Sequence, residues 1–499
     1  MGTVPNPPKE ETMEVRPALS EIRQIAAKGE YKICPVSCEI LSDVRTPIEV
    51  LRILKANSTH AYMLESVEDS KKWGRYTFLG FDPKSEITCF NGELKIDRRI
   101  IKTNEPGRYL RQIMAEYKSP RFDYLPTFTG GLVGYFSYDY IKYAEPSLRL
   151  DAKDNEHFKD CDLMLFDKVI AFDNLRQKIV LIANIKLDSI DSEYERAVKD
   201  LTELAELIRN GRTDEGEIGR LKSEIKPLFG KEEFCAMVEK AKHHIKEGDI
   251  FQIVLSNRLE ADYEGSLLNV YRVLRTLNPS PYMFYFAGTD VEVAGASPET
   301  LVKLTDGTLY TFPLAGTRPR GKTEEEDLAL EKDLLADTKE LAEHNMLVDL
   351  GRNDIGKISK YGSVDVVKLH SIERFSHVMH IGSTVRGQIR DEFDAFDAVD
   401  SILPAGTLSG APKIRACQLI NDLENNKRGI YGGAIGYIDF TGNLDTCIAI
   451  RLAYKKDGKV FVRSGAGIVY DSVPEKEYEE CINKAKAVVK AIEEAEKCC

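Results

Sequence analysis

The sequence predicts an α+β protein in which antiparallel sheets are covered by helices. Short runs rich in β-branched and aromatic residues follow one another like the strands of hairpins, and Gly, Pro, Asp and Asn bound them. Between these runs lie segments whose apolar residues recur at helical spacing. Groups of strands separated by helices, without strict strand–helix alternation, are typical of this fold class.

Length, charge and cysteine spacing narrow the kinds of protein this could be. The 499 residues are enough for two or three domains with large cores. The net charge of -12 argues against nucleic acid or an anionic membrane as the main partner. No apolar run reaches the roughly 18 residues that cross a bilayer, and polar residues 1–17 do not resemble a signal peptide. The ten cysteines show no C-x-x-C pair and no zinc spacing, so we expect free thiols in a cytoplasmic protein.

The first half of the chain is predicted to be mainly strands. A polar extension over residues 1–30 precedes the strand-like runs, and Leu/Ala periodicity then predicts a helix over 193–208. The Gly-rich, charged stretch 210–230 has weak periodicity and is predicted to be a linker. We therefore expect one domain over 31–215 and a second over 228–492.

The second half is predicted to alternate helices with groups of strands. Helices are expected over 231–247, 267–277, 331–356 and 394–403, with a last one from about Pro474. Ser472 and Glu475 stand at capping-box spacing at the start of this last helix, where Pro is tolerated. Among the strands, the apolar run 445–454 is predicted to be continuous.

Two of these helices carry paired carboxylates at the same spacing. Glu340 and Glu343 stand three residues apart, and so do Glu477 and Glu480, with Lys484 one turn further on. One such pair alone is most often a solvated acidic face. Two pairs on two helices suit Mg²⁺, which takes one or two carboxylates directly and keeps waters or substrate oxygens for the rest. We hypothesise that they converge on a Mg²⁺ ion that also binds an anionic substrate.

Two Gly-rich stretches do not match nucleotide-binding loops. Residues 406–413 lack the P-loop spacing and a Ser/Thr after the Lys, and 431–436 do not open a helix as G-x-G-x-x-G. We expect the backbone amides of both stretches, and those of 465–467 at the end of a strand, to approach a substrate carboxylate.

Ten motifs follow one another along the chain, within a region from about residue 35 to 490. They are GDIFQIVLSNR, NPSPYMFY, ASPETLV, PLAGTRPRG, KELAEHNMLVDLGRND, HVMHIGSTVRG, PAGTLSGAPKIRA, GAIGYIDFTG, DTCIAIR and SGAGIVYDSVPEKEYEE. Together they resemble the chorismate-utilising enzymes, and most closely the anthranilate-forming large subunits of that family. The resemblance implies antiparallel β-sheets forming a sandwich flanked by helices, with a regulatory N-terminal domain and a chorismate-binding catalytic domain.

The resemblance also implies a role for each acidic residue. Glu343 and Glu480 would be direct Mg²⁺ ligands, with Glu340 and Glu477 bound directly or through water. The metal would draw electron density from the substrate ring as a Lewis acid. Glu299 would be the general acid for the departing 4-hydroxyl group of chorismate, which requires a raised pKa.

Further residues take their roles from the same motifs. His380 matches the histidine of the second half-reaction, in which pyruvate leaves and the ring becomes aromatic. The predicted catalytic residues are Glu299, His380, Gln252 and Thr407. The predicted substrate contacts are Thr407, Tyr431, Arg451, Lys484 and the backbone of Gly465, Ala466 and Gly467. Any of these side chains taken alone would more often be structural, and only their order along the chain favours the functional interpretation.

Two positions distinguish the subfamilies. Relatives that add water to chorismate carry a Lys, as general base, where this chain has Gln252. Relatives that form aminodeoxychorismate carry a nucleophilic Lys where this chain has Ala315. Both residues favour attack of ammonia at C2 and loss of pyruvate to give anthranilate.

The family further implies a partner and an inhibitor. No Cys of this chain lies in the G-x-C-x-G sequence of an amidotransferase, so ammonia would come from a separate glutamine amidotransferase subunit, commonly in a heterotetramer. Inhibitory tryptophan would bind where M-L-E-S meets N-P-S-P-Y-M. The predicted contacts are Glu65, Ser66, Pro281, Tyr282 and Met283, with Arg75 as a weaker candidate.

Three functions therefore remain as alternatives at this point. The first is a Mg²⁺-dependent anthranilate-forming subunit. The second is a sister enzyme that forms aminodeoxychorismate, isochorismate or salicylate, which Gln252 and Ala315 disfavour. The third is a tryptophan-binding subunit that has lost its chemistry, which the intact glutamates and His380 disfavour.

Overall fold

The computed structural model describes residues 13–66, 74–213, 218–375 and 378–497. Its α-helices in these ranges are α1 (Leu19–Ala27), α2 (Pro47–Asn57), α3 (Pro106–Ala115), α4 (Ile141–Ala144), α5 (Ile190–Asn210), α6 (Lys231–Lys246), α7 (Leu268–Leu277), α8 (Glu324–Ala336), α9 (Thr338–Gly356), α10 (Ala395–Ile402), α11 (Lys413–Glu424) and α12 (Pro474–Ala495).

The described chain also contains twenty-six strands. In the first half they are β1 (Val15–Arg16), β2 (Ile33–Leu41), β3 (Ala61–Glu65), β4 (Tyr76–Phe81), β5 (Ser85–Phe90), β6 (Glu93–Ile96), β7 (Arg99–Lys102), β8 (Gly131–Phe136), β9 (Cys161–Phe166), β10 (Lys168–Asp173) and β11 (Lys178–Lys186). In the second half they are β12 (Arg220–Leu221), β13 (Lys226–Pro227), β14 (Gln252–Glu264), β15 (Tyr282–Ala287), β16 (Glu292–Ser297), β17 (Thr300–Thr305), β18 (Thr308–Thr311), β19 (Leu314–Pro319), β20 (Asp365–Arg374), β21 (Val378–Gln388), β22 (Gly410–Ala411), β23 (Ala434–Asp439), β24 (Leu444–Ile448), β25 (Leu452–Lys456) and β26 (Lys459–Ile468).

These strands form two large antiparallel sheets. The first has the order β1-β2-β11-β10-β4-β3-β15-β16-β25-β26-β14-β12, with β13 and β22 also paired to β14. The second has the order β19-β21-β18-β17-β24-β23-β8-β9-β5-β6-β7, with β20 also paired to β21. An apolar cluster joins Tyr62 and Phe78 of the first sheet to Tyr135 and Tyr437 of the second, so the sheets form a sandwich.

Helices cover the outer faces of this sandwich. The first sheet packs against α2, α5, α7 and α12 in one apolar cluster. The second sheet packs in the same way against α3, α9 and α10. The predicted α+β fold, with a sandwich of antiparallel sheets flanked by helices, is confirmed.

Both halves of the chain contribute strands to each sheet. In the first sheet, β3 pairs with β15 and places Glu65 opposite Met283. In the second, β8 pairs with β23. The predicted linker contains β12 and β13, both paired to β14. The division into domains over 31–215 and 228–492 stays a prediction, and residues 1–12 of the N-terminal extension lie outside the described residues.

The first half contains helices that were not predicted: α2 and α3 lie where strands and turns were expected, and α1 lies within the predicted polar extension. Helix α2 begins after Thr46, whose hydroxyl oxygen accepts from the N–H of Glu49 while the Glu49 carboxylate accepts from the N–H of Thr46. This is a capping box with Pro47 at the first helical position. The signal was therefore present in the sequence. Helix α3 likewise begins at a proline, Pro106.

The predicted continuous helix over 331–356 was wrong. It is two helices, α8 and α9, separated at Asp337. The Asp337 carboxylate accepts hydrogen bonds from the N–H groups of Lys339 (3.0 Å) and Glu340 (3.2 Å), so it caps a new helix instead of continuing the old one. Arg318 binds the same carboxylate at 3.0 Å. The break sets the direction of the helix that carries Glu340 and Glu343.

The predicted strand over 445–454 was also wrong. Strand β24 ends at Ile448 and β25 begins at Leu452. Arg451 lies between them with a φ of 54°, in the left-handed region of backbone conformation that residues other than glycine rarely adopt. Its carbonyl oxygen still accepts from the N–H of Ala296 at 3.0 Å, which anchors the irregular residues to the first sheet.

The predicted capping box of the last helix was wrong as well. The residue before α12 is Val473, and no side chain caps the helix there. The Ser472 hydroxyl oxygen accepts instead from the N–H of Val469 at 3.1 Å, which closes the turn that follows β26.

The eight cysteines of the described part carry free thiols, as predicted, and seven of them are buried. None of the described helices has the length and apolar composition that crossing a membrane requires.

Candidate active site

A cavity of about 830 Å³ lies where elements of both sheets meet α9 and α12. It brings together Gln252, Glu299, Ala315, Glu340, Glu343, His380, Thr407, Tyr431, Arg451, Gly465, Gly467, Glu477, Glu480 and Lys484. Every residue predicted for catalysis, metal or substrate therefore borders this one cavity, except Ala466. The side chain of Ala466 is fully buried in an apolar cluster with α6 and α11, because alternate residues of β26 point to opposite faces.

Two helices supply the four glutamates. On α9, Glu340 and Glu343 follow the cap at Asp337, and on α12, Glu477 and Glu480 follow Pro474 within the first two turns. The spacing of three residues puts each pair on one helical face. The two faces meet across the cavity although about 140 residues separate them along the chain.

The carboxylates repel one another. Burial raises the pKa of Glu343, and the charges of Glu340 and Glu480 raise it further, against the opposing effect of Lys339 and Lys484. Burial also raises the pKa of Glu477, and Glu480 adds to that shift. A divalent cation in the cavity would relieve this repulsion.

Lys484 partly replaces such a cation. Its Nζ lies 2.6 Å from Oε1 of Glu480 and donates to the carbonyl oxygen of Gly465 at 3.2 Å. Within the described residues, no three Asp, Glu, His or Cys side chains lie close enough together to hold a metal ion. The donor set nonetheless suits Mg²⁺, because this ion needs only one or two direct carboxylates and completes its shell with water and substrate oxygens.

Glu299 lies in the short connection between β16 and β17, where hydrogen bonds fix its backbone. Its backbone N–H donates to the hydroxyl oxygen of Ser297, and its carbonyl oxygen accepts from the N–H of Ile448 at 2.9 Å. Burial raises the pKa of its carboxyl group to about 7, while a hydrogen bond from Thr407 (3.2 Å) and the charge of Lys484 oppose the shift. Glu299 can therefore hold a proton near neutral pH and release it to a ligand.

His380, on β21, is a neutral imidazole. Its Nδ1 lies 2.8 Å from the carbonyl oxygen of Gly316 and 3.1 Å from the hydroxyl of Thr317. The contact with Gly316 assigns the ring proton to Nδ1 and leaves Nε2 as a proton acceptor. Burial lowers the pKa of His380, and the charge of Arg451 lowers it further, although the Gly316 carbonyl opposes the shift.

The floor of the cavity is formed by strands β14 and β26. A Cβ atom on Gly465 would lie 2.9 Å from the hydroxyl oxygen of Tyr431 and 2.8 Å from the carbonyl oxygen of Leu255, so only glycine fits there. Gln252 is buried, and its Oε1 has no hydrogen-bond partner among the described residues. An unpaired buried carbonyl oxygen at the edge of a cavity is available to a ligand N–H group.

Arg451 projects from the break between β24 and β25. Its Nη1 donates to the backbone carbonyl oxygen of Lys484 at 2.5 Å, which connects the first sheet to α12. Burial lowers the pKa of this guanidinium group. The left-handed backbone, which the prediction of a continuous strand did not anticipate, gives the side chain this position.

Several further residues border the cavity that were not predicted from the sequence. Lys339 and Lys476 each precede a glutamate of the acidic pairs, and this adjacency was a visible signal. Thr317 and Arg463 also border the cavity, and they lie in strands whose local pattern carries no sign of it.

The predicted tryptophan contacts are brought together elsewhere, on neighbouring strands of the first sheet. Glu65 ends β3 opposite Met283 of β15. Pro281 lies just before β15 in the chain and is buried. The Glu65 carboxylate accepts from the hydroxyl of Tyr271 at 2.6 Å and from Nη2 of Arg275 at 3.0 Å, both on α7.

The other predicted effector residues have partners of their own. The hydroxyl of Tyr282 donates to Asp445 at 2.8 Å. Ser66 immediately precedes residues 67–73, which lie outside the described part. Arg75 is bound to Asp173 at 2.8 Å, as expected of a structural ion pair.

Comparison with known proteins identifies similar sequences and structures. A family model described as chorismate binding enzyme matches residues 59–490. The chain is 47% identical over 491 residues to anthranilate synthase component 1 of Acetivibrio thermocellus, covering 96% of this chain and 99% of the relative. It is 45% identical to the protein of that name from Aquifex aeolicus (strain VF5), covering 97% and 99%.

Two solved structures resemble the fold. The crystal structure of anthranilate synthase component I from Streptococcus pneumoniae TIGR4 superimposes with a TM-score of 0.75 at 39% identity, covering 90% of this chain and 98% of that one. The menaquinone-specific isochorismate synthase MenF of Escherichia coli gives a TM-score of 0.69 at 20% identity, covering 95% and 99%, which shows a shared fold alone.

Proposed function

The chain belongs to the chorismate binding enzyme family, and from this membership we propose that it is the chorismate-converting large subunit of an anthranilate synthase. It would aminate chorismate at C2 with ammonia and then eliminate pyruvate, which is the first committed step of tryptophan biosynthesis. One observation carries the proposal: a protonatable Glu299, a neutral His380 and two glutamate pairs converge on one cavity. Relatives named anthranilate synthase component 1, at 41–47% identity, support it.

Glu299 is the proposed acid of the first half-reaction. As the C2–N bond forms, the C4–O bond breaks, and the 4-hydroxyl group leaves as water with the proton of Glu299. A pKa of about 7 keeps a large fraction of this carboxyl group protonated at neutral pH. The Thr407 hydroxyl fixes the carboxyl group in position.

The glutamates would hold the metal ion. Glu343 and Glu480 would bind Mg²⁺ directly, and Glu340 and Glu477 directly or through water. When bound, Mg²⁺ supplies Lewis-acid polarisation of the ring carboxylate. Lys484 contacts Glu480, and its ammonium group would also lie beside the ring carboxylate of the substrate.

The choice of ammonia over water depends on what borders the cavity near C2. Gln252 cannot accept a proton from water, but its unpaired Oε1 can accept a hydrogen bond from an N–H group. Ala315 offers no amine with which to form a covalent adduct. Both residues favour anthranilate over isochorismate, salicylate or aminodeoxychorismate as the product.

His380 is the proposed base of the second half-reaction. The contact with Gly316 directs Nδ1–H away and leaves Nε2 for the C2 proton. Loss of that proton and of the enolpyruvyl group as pyruvate makes the ring aromatic. The lowered pKa keeps the imidazole neutral, which a base requires.

The carboxylates of the substrate would be bound at the cavity floor and at the break between β24 and β25. Arg451 and Tyr431 supply a guanidinium group and a hydroxyl, and the backbone at Gly465 and Gly467 allows close approach. We retain a role for the backbone of Ala466, whose side chain points away.

Ammonia would be supplied by a glutamine amidotransferase subunit, in a heterotetramer, in the cytoplasm.

Tryptophan would inhibit by binding where β3 meets β15. The adjacency of Glu65 and Met283 in these strands supports this location.

One assay tests the proposal. The purified chain is incubated with chorismate, Mg²⁺ and an ammonium salt, and anthranilate is followed by its fluorescence. We expect turnover that requires Mg²⁺ and does not occur with glutamine alone. Isochorismate, salicylate or aminodeoxychorismate as the main product would select a sister enzyme. Absence of turnover together with tight tryptophan binding would select a non-catalytic subunit.

A further inference from the structure

Three ionised side chains are completely buried beneath the cavity floor. Arg463 is on β26, two residues before Gly465, Glu424 ends α11, and Arg428 follows shortly after in the chain. The side chains of the two arginines and the glutamate are 0–1% exposed. Arg463 borders the cavity. We refer to Glu424, Arg428 and Arg463 as the buried triad.

Every nitrogen and oxygen atom of the three charged groups has at least one hydrogen-bond partner. Arg463 donates from Nε to the Ser256 hydroxyl (2.8 Å), from Nη1 to Oδ1 of Asn426 (2.8 Å) and to the carbonyl of Lys427 (2.9 Å), and from Nη2 to Oε2 of Glu424 (2.8 Å). The backbone N–H and hydroxyl of Ser256 donate to Oε1 of Glu424.

Arg428 connects the triad to the cavity. Its Nη1 donates to the carbonyl of Leu408 at 2.6 Å, next to Thr407, and its Nη2 donates to the carbonyl of Val254 at 2.7 Å. Both Nε (3.0 Å) and Nη2 (2.5 Å) donate to the Glu424 carboxylate. Its guanidinium carbon lies 5.9 Å from the centre of the Tyr431 ring.

The positive and negative charges of the triad are not equal in number. Two guanidinium groups share the single carboxylate of Glu424, so the triad carries one excess positive charge. Within the described part of the chain, no second carboxylate is hydrogen bonded to Arg428 or Arg463. Burial lowers the pKa of Arg463, and Arg428 lowers it further against the opposing effect of Glu424. Glu424 raises the pKa of Arg428 in spite of burial, so the excess charge falls on Arg463.

The neighbouring Arg258 has the opposite balance, with two carboxylates for one buried guanidinium group. Arg258 lies directly opposite Arg463 in the β14–β26 ladder and is 4% exposed. It binds two carboxylates, Glu156 at 2.8 Å and Glu260 at 2.6 Å. Arg258 does not border the cavity, whereas Arg463 does. Directly paired residues of a ladder lie on the same face of the sheet, so the carboxylates at Arg258 offset part of the triad's charge. The excess positive charge nevertheless lies nearest the cavity, because Arg463 borders it and Glu156 and Glu260 do not.

We propose that Arg463 provides, through the buried triad, a fixed positive charge under the cavity floor that holds the anionic substrate against the glutamate pairs. This inference rests on the proposed function, because chorismate is a dianion. Arg463 is a positioning residue: it acts through its field and through the Tyr431 and Gly465 region, without touching the reacting atoms. Excess charge in a region of low dielectric acts strongly over several ångströms.

The test compares four variants for chorismate binding by calorimetry with Mg²⁺ present, for kcat, and for thermal midpoint. Arg463→Gln removes the excess charge and leaves Glu424 paired with Arg428, and we expect the Kd to rise about tenfold while kcat changes less than about threefold. Arg463→Lys keeps the charge and should restore a Kd within about threefold of the original. Arg196→Gln is the control: it breaks ion pairs with Glu193 and Asp200 on α5, outside the cavity, and should leave the Kd unchanged.

The reciprocal variant supplies a sign test. Glu424→Gln removes the one negative charge of the triad and so raises its net charge by one. It should lower the thermal midpoint but leave chorismate binding as tight as before or tighter. This variant also decides the matter if Arg463→Gln does not fold. Unchanged binding in folded Arg463→Gln, equal loss in Arg463→Gln and Arg463→Lys, or weaker binding in Glu424→Gln would each overturn the inference.

The proposed function and the inference fail separately. A chain that binds chorismate but forms no anthranilate refutes the function, and the variant series on binding still decides the role of the triad. A chain that binds no chorismate refutes both.

Discussion

The hydroxyl of Thr407 donates a hydrogen bond to Oε1 of Glu299 over 3.2 Å, joining residues 108 positions apart at the edge of the cavity. This bond favours the ionised form of the carboxyl group, whereas burial favours the protonated form. Burial dominates, and the pKa of Glu299 is raised to about 7.

The first prediction concerns the pH dependence of turnover. Glu299 acts as an acid, so activity should fall as the pH rises through about 7. Thr407→Val removes the donor that opposes the pKa shift, so the alkaline limb of the kcat profile should move to higher pH, by about half a unit to one unit. Thr407→Ser keeps the donor and should leave the limb in place. Identical limbs in the two variants would separate Thr407 from the protonation of Glu299.

The second prediction concerns the metal. Glu343→Gln and Glu480→Gln should each reduce turnover at ordinary Mg²⁺ concentrations by at least about 100-fold, because each removes a proposed direct ligand. Glu340→Gln and Glu477→Gln should mainly raise the Mg²⁺ concentration needed for half-maximal rate.

The control for these variants is the residue next to Glu480 on α12. Glu479→Gln changes an exposed carboxylate on α12 that pairs with Lys231 outside the cavity. It should leave the Mg²⁺ titration unchanged. Full activity in Glu343→Gln or Glu480→Gln would show the ligand assignment to be wrong.

The third prediction separates the two half-reactions. His380→Met removes the proposed base of pyruvate elimination, so aminodeoxyisochorismate should accumulate while anthranilate formation slows by about 100-fold or more. Chromatography of the products follows both species. His370→Asn is the matched control, because His370 bonds to Asn345 outside the cavity and Asn tolerates its left-handed backbone. Normal anthranilate output from His380→Met would remove His380 from the mechanism.

The fourth prediction tests the helix break at Asp337. Asp337→Ala removes the cap of α9, at a cost of about 1 kcal/mol in the free energy of unfolding, and should also weaken Mg²⁺ use because Glu340 and Glu343 follow that cap. Thr323→Ala removes the corresponding cap of α8, where Thr323 accepts from the N–H of Glu326. It should cost a similar free energy and leave the Mg²⁺ titration unchanged. Equal Mg²⁺ dependence in both variants would show that the break has no role in the site.

The fifth prediction concerns feedback. Ser66→Phe should raise the tryptophan concentration for half-inhibition by about tenfold or more, because a large side chain would fill the proposed effector position. The KM for chorismate should stay the same, since Ser66 does not border the cavity. Unaltered inhibition would remove this stretch from the effector site.

Much of this protein could be predicted from local sequence. The strand-like runs and the helical periodicity predicted the fold class, and the spacing of Glu340 with Glu343 and of Glu477 with Glu480 predicted two carboxylate pairs. The ordered motifs then predicted which residues would share a site, and of those all but the side chain of Ala466 border the cavity. Alternation along β26 explains that exception.

Sequence by itself thus determined the chemical groups and their local spacing, because helix and strand periods are set within a few residues. Tertiary structure decided the left-handed turn at Arg451, the burial that raises the pKa of Glu299, the sharing of Glu424 by two arginines, and the contact of Arg318 that supports the otherwise local cap at Asp337. Three of these involve groups distant in the chain: Arg318 binds the cap at Asp337, Thr407 binds Glu299, and Arg463 joins Arg428, which is one helical turn from Glu424, on the same carboxylate. Local periodicity carries no information about such neighbours, whereas burial and charge act through space.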